Sequence, residues 1–281
     1  MSVTTPAQMS PTPAELGFRM PAEFAPHDAC WMLWPQRPDN WRYGGKPAQA
    51  TFVEVAKAIA ESETVFIGVN DDQYENARHQ LPDNIRVVEL SSNDAWMRDV
   101  GPTFLTHPDG RLAMVDWEFN AWGGLSGGLY FPWDKDRRIR LKIAEMLGVQ
   151  RFFTPLVLEG GSIHVDGEGT LITTEECLLN PNRNPNMTKA DLEKLLGDFL
   201  GVTKVIWIPR GCHQDETDGH IDNLCCFVAP GEVALTWTDD TSDPQHAISR
   251  GDAPHALSFV EGKTDVGEAL KQRFHARKSR T

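Results

Sequence analysis

Asp215-Glu216-Thr217-Asp218-Gly219-His220-Ile221-Asp222-Asn223 crowds four carboxylates and an imidazole around one glycine, just before an apolar run, 224–229, that reads as a buried strand. Carboxylates this close repel one another unless a cation, metallic or organic, sits among them. What precedes the segment decides the fold. Residues 188–200 carry the clearest helical pattern, with Thr188 as N-cap and Leu192, Leu195, Leu196 and Phe199 on one face. That helix ends at Gly201-Val202, and a strand at 205–208 leads into the acidic loop. The same order recurs upstream. A helix over 136–147, with Ile139, Ile143, Met146 and Leu147 on one face, ends at Gly148-Val149; a strand follows, then Glu159-Gly160-Gly161. A helix over 47–62, with Phe52, Val55, Ala56 and Ile59 spaced i, i+3, i+4, i+7, leads through strands at 64–69 and 85–90 to Asn93-Asp94-Ala95-Trp96-Met97-Arg98-Asp99. Three helix–strand–acidic-loop units read as related αβ modules whose loop ends meet at one centre. Further strands are expected at 111–117, 170–174 and 233–237.

The chain has 281 residues, enough for one large domain or two ordinary ones, and its 40% hydrophobic and 24% charged content is that of a soluble globular protein. A formal charge of −13 argues against nucleic acid and anionic membrane as partners and suits a cationic small substrate. Residues 1–15, rich in Pro and Thr, read as a loose lead-in without the basic and apolar regions of a signal peptide. No apolar stretch approaches the ~20 residues that span a bilayer. The five cysteines, Cys30, Cys177, Cys212, Cys225 and Cys226, are odd in number and form no CxxC pair, which points to a reducing cytoplasm. Of the nine tryptophans, Trp34 and Trp96 are candidates to wall a pocket for a flat cation; the alternative is that they fill core gaps near loops.

Three clusters carry the chemistry: Trp96-Met97-Arg98-Asp99-Val100-Gly101-Pro102, Leu158-Glu159-Gly160-Gly161-Ser162-Ile163-His164, and the segment quoted first. Each sets a carboxylate near glycine, where the backbone turns tightly and approaches a ligand closely. Taken singly, Arg98–Asp99 reads equally well as a pair stabilising a turn, and Glu159 as a surface residue before a Gly-Gly turn. Two chemistries would use the clusters together. Cys212, His213, Asp215, His220 and Asp222 are ligand types for zinc or manganese, although the His-Glu-x-x-His spacing is absent. Alternatively, a planar guanidinium is matched by two carboxylates that accept paired N–H bonds from opposite edges. A nearby His can then shuttle a proton to departing ammonia.

The three motifs in this order resemble the agmatine deiminases, which belong to the bacterial-type peptidylarginine deiminase group of the guanidine-modifying (pentein) superfamily. Gly17-Phe18-Arg19-Met20-Pro21-Ala22-Glu23 and the stretch from Trp31 to Arg42 are similar to that family's opening, and the resemblance runs from about residue 14 to about residue 250. It implies a pentein-type α/β propeller of five ββαβ modules around a pseudo-fivefold axis. It also implies that Asp99 and Asp222 grip the guanidinium, that His220 is the general acid/base, and that Glu159 holds and orients the same group. Trp96 would line the pocket and Glu216 would contact the substrate. In the implied reaction a Cys thiolate attacks the guanidinium carbon and ammonia leaves. Water then hydrolyses the amidino intermediate, giving N-carbamoylputrescine from agmatine on the route to putrescine, with no metal or cofactor. A homo-oligomer is implied as well; peptidyl or free arginine are the alternative substrates.

The family's nucleophile lies in a Gly-Gly-Gly-Asn-Ile-His-Cys motif that these 281 residues do not contain. After about Arg250 the resemblance stops, and 251–281 forms a basic tail with six Lys or Arg against four Asp or Glu. The expectation is therefore an incomplete propeller over 16–250, from a truncated or frame-shifted copy lacking its last module or more. No other cysteine replaces the nucleophile convincingly. Cys225 and Cys226 read as small hydrophobes on a strand, and the carboxylates around Cys212 would raise its pKa. Val165 stands where the Gly160-Gly161-Ser162-Ile163-His164 echo of the motif would need a Cys. Impaired catalysis is expected, with a non-catalytic guanidino or polyamine binder, or a functionless relic, as the alternative.

Overall fold

The computed structural model describes residues 11–252. Residues 1–10 and all but the first two residues of the basic tail lie outside the described residues. Within the lead-in, 11–15 is not loose: Ala14 donates its N–H to Asp198 O at 3.0 Å, and the segment continues along the end of the helix Lys189–Leu200.

The architecture is mixed α/β, built from four small sheets. Strands β1 (Ala29–Leu33), β2 (Thr64–Val69) and β3 (Arg86–Glu89) form a parallel sheet. In the second sheet, β4 (Thr103–Thr106) and β5 (Leu112–Glu118) make an antiparallel hairpin, and β6 (Gln150–Val157) joins parallel to β5 after the helix Ile139–Leu147. The third sheet repeats this plan. Strands β7 (Ile163–Val165) and β8 (Thr170–Thr174) pair antiparallel, and β9 (Lys204–Ile208) returns parallel to β8 after the helix Lys189–Leu200. A third hairpin, β10 (Cys225–Ala229) with β11 (Glu232–Leu235), forms the fourth sheet and opens the same way. One short helical turn precedes each hairpin: Met97–Val100, Gly160–Ser162 and Ile221–Leu224.

Local chemistry explains the long helices and corrects two of the expected faces. Thr188 and Asp191 close a reciprocal capping box, satisfying two otherwise orphaned backbone donors, and Leu192, Leu196 and Leu200 are buried against Trp117, Leu156 and Leu171. The helix Lys46–Ile59 starts after a left-handed Gly45 with Pro47 in its first turn. Its buried face is Gln49, Val53 and Ala56, while Val55, expected inside, is exposed. Val53 fills the gap over Val65 and Ile67 of β2, so the packed face is rotated from the most apolar spacing. In the helix Ile139–Leu147, Ile139 and Ile143 are buried, but Met146 and Leu147 sit exposed at its end, where left-handed Gly148 turns the chain away. Among the described residues no helix is long and apolar enough to cross a membrane.

Candidate active site

The turns Met97–Val100 and Ile221–Leu224 both pack against the turn Gly160–Ser162 and bring the acidic clusters to one place. Asp99 lies in the turn Met97–Val100, Glu159 caps the turn Gly160–Ser162, and Asp222 lies in the turn Ile221–Leu224. The backbone of Gly161 is their meeting point. A Cβ placed there would lie 2.6 Å from His220 Nδ1, 2.7 Å from Asp222 Oδ2 and 2.8 Å from Asp99 Oδ1. Only glycine fits, because any side chain would fill the space around which these groups converge. The Gly161 N–H donates to Asp99 Oδ1 at 2.8 Å, and a Cβ on Gly160 would lie 2.0 Å from the Arg98 carbonyl.

His220 is delivered by a reversal at Asp218 and Gly219, both left-handed, with φ of 62° and 81°. The reversal is pinned on both sides. Thr174 Oγ1 donates to Gly219 O at 2.6 Å, and the His220 N–H donates to Asp215 Oδ2 at 2.8 Å. The imidazole is buried, with Nδ1 3.8 Å from Asp99 Oδ1 and Nε2 3.9 Å from Glu159 Oε2. Neither His220 Nε2 nor Glu159 Oε2 has a hydrogen-bond partner. Burial works against the imidazolium, but Cys177, Glu159 and Asp99 outweigh it and raise the His220 pKa well above its ordinary 6.5.

Two buried arginines hold this arrangement. Arg183 Nε donates to Glu159 Oε1 at 2.7 Å; its Nη1 donates to Trp122 O and Asp218 Oδ2, each at 2.8 Å, and its Nη2 to Thr217 O at 2.9 Å. One planar fork thus ties Glu159 to the loop that carries His220. Arg140 donates only to backbone, to the carbonyls of Asp99, Gly101, Trp117 and Leu158. Burial pushes its pKa down to about 10, and Asp116, Glu159 and Asp99 oppose that fall. Burial likewise raises the carboxyls of Asp99 and Asp222, with His220 opposing in both cases. For Glu159 burial is again the largest influence, yet His220 and Arg183 together prevail and hold its carboxyl below the usual range.

The remaining predicted residues are spread around this centre. Trp96 is partly exposed, stacks on Trp41 at 5.5 Å and donates its Nε1–H to Asp94 at 2.8 Å. It meets Trp122 edge-on at 6.2 Å, and Trp122 in turn donates its Nε1–H to Asp99 Oδ2 at 3.2 Å. Trp34 lies elsewhere, buried with Val53, Ala56 and Ile67 in the core of the first sheet. That is the core-filling alternative, since its ring follows β1 into the interior. Glu216 is exposed on its loop, outside the buried cluster. Arg98 does not pair with Asp99. It donates to Glu23 at 2.7 Å and lies 3.9 Å from Asp222, beside a cavity of about 790 Å³ lined also by Trp31, His164 and Cys226.

The metal-ligand set weighed as an alternative, Cys212, His213, Asp215, His220 and Asp222, does not assemble among the described residues. Cys212 Sγ donates to Asn223 O at 3.1 Å, His213 is exposed, and Asp215 is occupied by Thr217 and the His220 N–H. All five thiols are unpaired, and burial is the main influence raising each of them, to about 12 for Cys225. The sequence reading missed Arg183, Arg140, Trp122 and Cys177. Arg183 is 24 residues from Glu159, and nothing in its neighbourhood, Asn182-Arg183-Asn184, announces a buried ion pair. The strained backbone at Trp122, with φ of 64°, has no periodic signature either.

A model of the Porphyromonas-type peptidyl-arginine deiminases matches residues 19–263. An agmatine deiminase of Pseudomonas aeruginosa (strain LESB58) is 61% identical over 257 residues, covering 91% of this chain and 69% of the relative. One from Pseudomonas syringae pv. syringae (strain B728a) is 58% identical over 260 residues, 92% of this chain and 70% of the relative. Among solved structures, an agmatine deiminase of Enterococcus faecalis superposes with a TM-score of 0.86 at 50% identity, over 88% of this chain and 68% of that one. A C. jejuni agmatine deiminase with substrate bound gives 0.75 at 26% identity, over 88% and 71%. With acidic turns, paired glycines and fold in agreement, the chain belongs to the Porphyromonas-type peptidyl-arginine deiminase family.

Proposed function

We propose that this protein is a deiminase of guanidino compounds whose substrate is agmatine, hydrolysed to N-carbamoylputrescine and ammonia. On this reading Asp99 and Asp222 accept N–H bonds from opposite edges of the guanidinium, and the free oxygen of Glu159 orients the same group. His220 takes up a proton and returns it to the departing ammonia. Trp96, with Trp122 and Trp41, walls the flat cation. One observation carries the reading: two carboxylates and an imidazole within 3 Å of the point where a Gly161 Cβ would stand, with Glu159 Oε2 unpartnered beside them. So many acidic groups in one dry place call for a cation, and a guanidinium offers N–H donors to all of them. The net charge of −13 and the naming of the relatives as agmatine deiminases favour agmatine over arginine, whose carboxylate would meet further negative charge.

The wider architecture follows the same proposal. Residues 16–250 are read as part of a pentein-type propeller, with the β4–β6 and β7–β9 sheets as ββαβ modules and β10–β11 as the opening of another. The unpaired cysteines suit a reducing compartment, the cytoplasm. The 281 residues contain no Gly-Gly-Gly-Asn-Ile-His-Cys stretch, and no thiol they do contain is poised as a thiolate. This polypeptide by itself is therefore expected to bind agmatine better than it turns it over. Titration calorimetry with agmatine, arginine and putrescine tests the first part; mass spectrometry for N-carbamoylputrescine tests the second. Saturable agmatine binding with little product is expected, and putrescine, lacking the guanidinium, should bind weakly. Absence of agmatine binding would overturn the substrate, and turnover matching the P. aeruginosa relative would overturn the expected impairment.

A further inference from the structure

We propose that Glu159, Cys177 and His220 form a binding site for a thiophilic divalent cation of the zinc class, overlapping the guanidinium site. Cys177 has no part in the guanidinium reading. It sits fully buried in the turn Glu175–Leu178, its N–H held by the Thr174 hydroxyl at 3.1 Å. One ligand atom from each of the three residues lies within 4.8 Å of the others, and all three residues are buried. Tetrahedral zinc, with bonds of about 2.0–2.3 Å, sets its ligand atoms about 3.3–3.8 Å apart. His220 Nε2 and Glu159 Oε2 stand 3.9 Å apart already, so closing on an ion requires only small rotations.

A second observation points to the same space. Glu159 Oε2 and His220 Nε2 are two of the few buried side-chain atoms with no hydrogen-bond partner, and they face each other. A cation bound by both would satisfy both. One sulfur, one imidazole and one carboxylate suit zinc rather than magnesium or calcium. Outer partners are in place too: Arg183 holds the other Glu159 oxygen at 2.7 Å, and Asp99 Oδ1 faces His220 Nδ1 at 3.8 Å. Three protein ligands leave a fourth position for water. Binding is a ligand exchange without redox: the metal–sulfur bond forms as the thiol releases its proton to solvent, and the metal–nitrogen bond takes the lone pair of the neutral imidazole.

The purified protein, reduced and oxygen-free, is titrated with Co²⁺ as the spectroscopic probe. The expected result is one cobalt per chain with a sulfur-to-cobalt charge-transfer band, bleached by Zn²⁺. Calorimetry in buffers of different ionisation enthalpy should show proton release on binding, from the thiol at least. The band should vanish in Cys177→Ala, survive in a Cys212→Ser/Cys226→Ser double variant, and form at least tenfold more weakly in Glu159→Gln. No band in the parent protein, a band surviving Cys177→Ala, or a band lost in the double variant would each overturn the site. If Cys177→Ala does not fold, zinc X-ray absorption on the parent protein decides: a shell with one sulfur supports the site, and a sulfur-free shell overturns it. The overlap alone rests on the proposed function. Agmatine should bleach the cobalt band, and a band that agmatine never bleaches would overturn the overlap but not the metal site.

Discussion

Asp99 and Glu159 stand at the same step of successive units, one short turn ahead of a hairpin, and both are buried; yet their carboxyls are pushed in opposite directions. Arg140 does not reach the Asp99 carboxyl. It passes beneath Asp99 but spends its donors on backbone carbonyls, leaving burial to dominate and raise the carboxyl. Glu159 has the His220 imidazole facing one oxygen and the Arg183 fork on the other, and together they keep it ionised. Burial favours the protonated acid unless a guanidinium reaches the carboxylate itself. Glu159 carries an arginine countercharge inside the fold, whereas no arginine or lysine of the described residues pairs with the Asp99 carboxyl.

Arg183→Met attacks that difference most directly. It should strand Glu159 in the interior as Asp99 is now and destabilise the protein by about 3–5 kcal/mol, the range for breaking a buried ion pair. Urea unfolding checks this, and a loss too small to resolve would mean the fork is dispensable. Next in size is the binding effect of Asp99→Asn, or Asp222→Asn, on agmatine. Losing a charge-assisted hydrogen bond, about 1.5–3 kcal/mol, should weaken affinity roughly 10- to 150-fold by calorimetry. Asp99→Asn, which loses one of the two acceptors facing Gly161 N–H and Trp122 Nε1–H, should lower stability less than Glu159→Gln; equal effects would erase the contrast.

The imidazole gives a pH test. Because the folded-state pKa of His220 is raised above 6.5, its contribution to stability is full below that pH and is lost as pH rises through the folded value. The slope is at most about 1.4 kcal/mol per pH unit. Thermal unfolding across this window should show the decline, and His220→Asn should flatten it. Thr188→Ala lies far from the contrast and serves as its control. Loss of the capping box should cost about 1 kcal/mol without changing agmatine affinity.

Much of this organisation was legible in the linear chain. β-Branched content located β2 to the residue, β8 was placed as closely, and the Thr188 cap marked the start of the clearest helix, because backbone dihedrals and caps respond to near neighbours. The repeat of helix, strand and acidic turn was equally readable, and the fold brings Asp99, Glu159, His220 and Asp222, named from their motifs, to one place. Strands β1, β4 and β7 and the helix Tyr74–Gln80 escaped, being short elements defined by their partners.

The sequence by itself therefore determined which residues are acidic, which glycines stand beside them and in what order the units follow. Tertiary structure alone decided the rest. Packing against β2 chose the buried face of the helix Lys46–Ile59 and drew Trp34 into a core. Chain folding brought Arg183 across 24 residues to Glu159, and Cys177 to the same imidazole. The reason is electrostatic: in a dry interior a carboxyl's charge depends on which groups lie within a few ångströms, and that distance is a property of the fold.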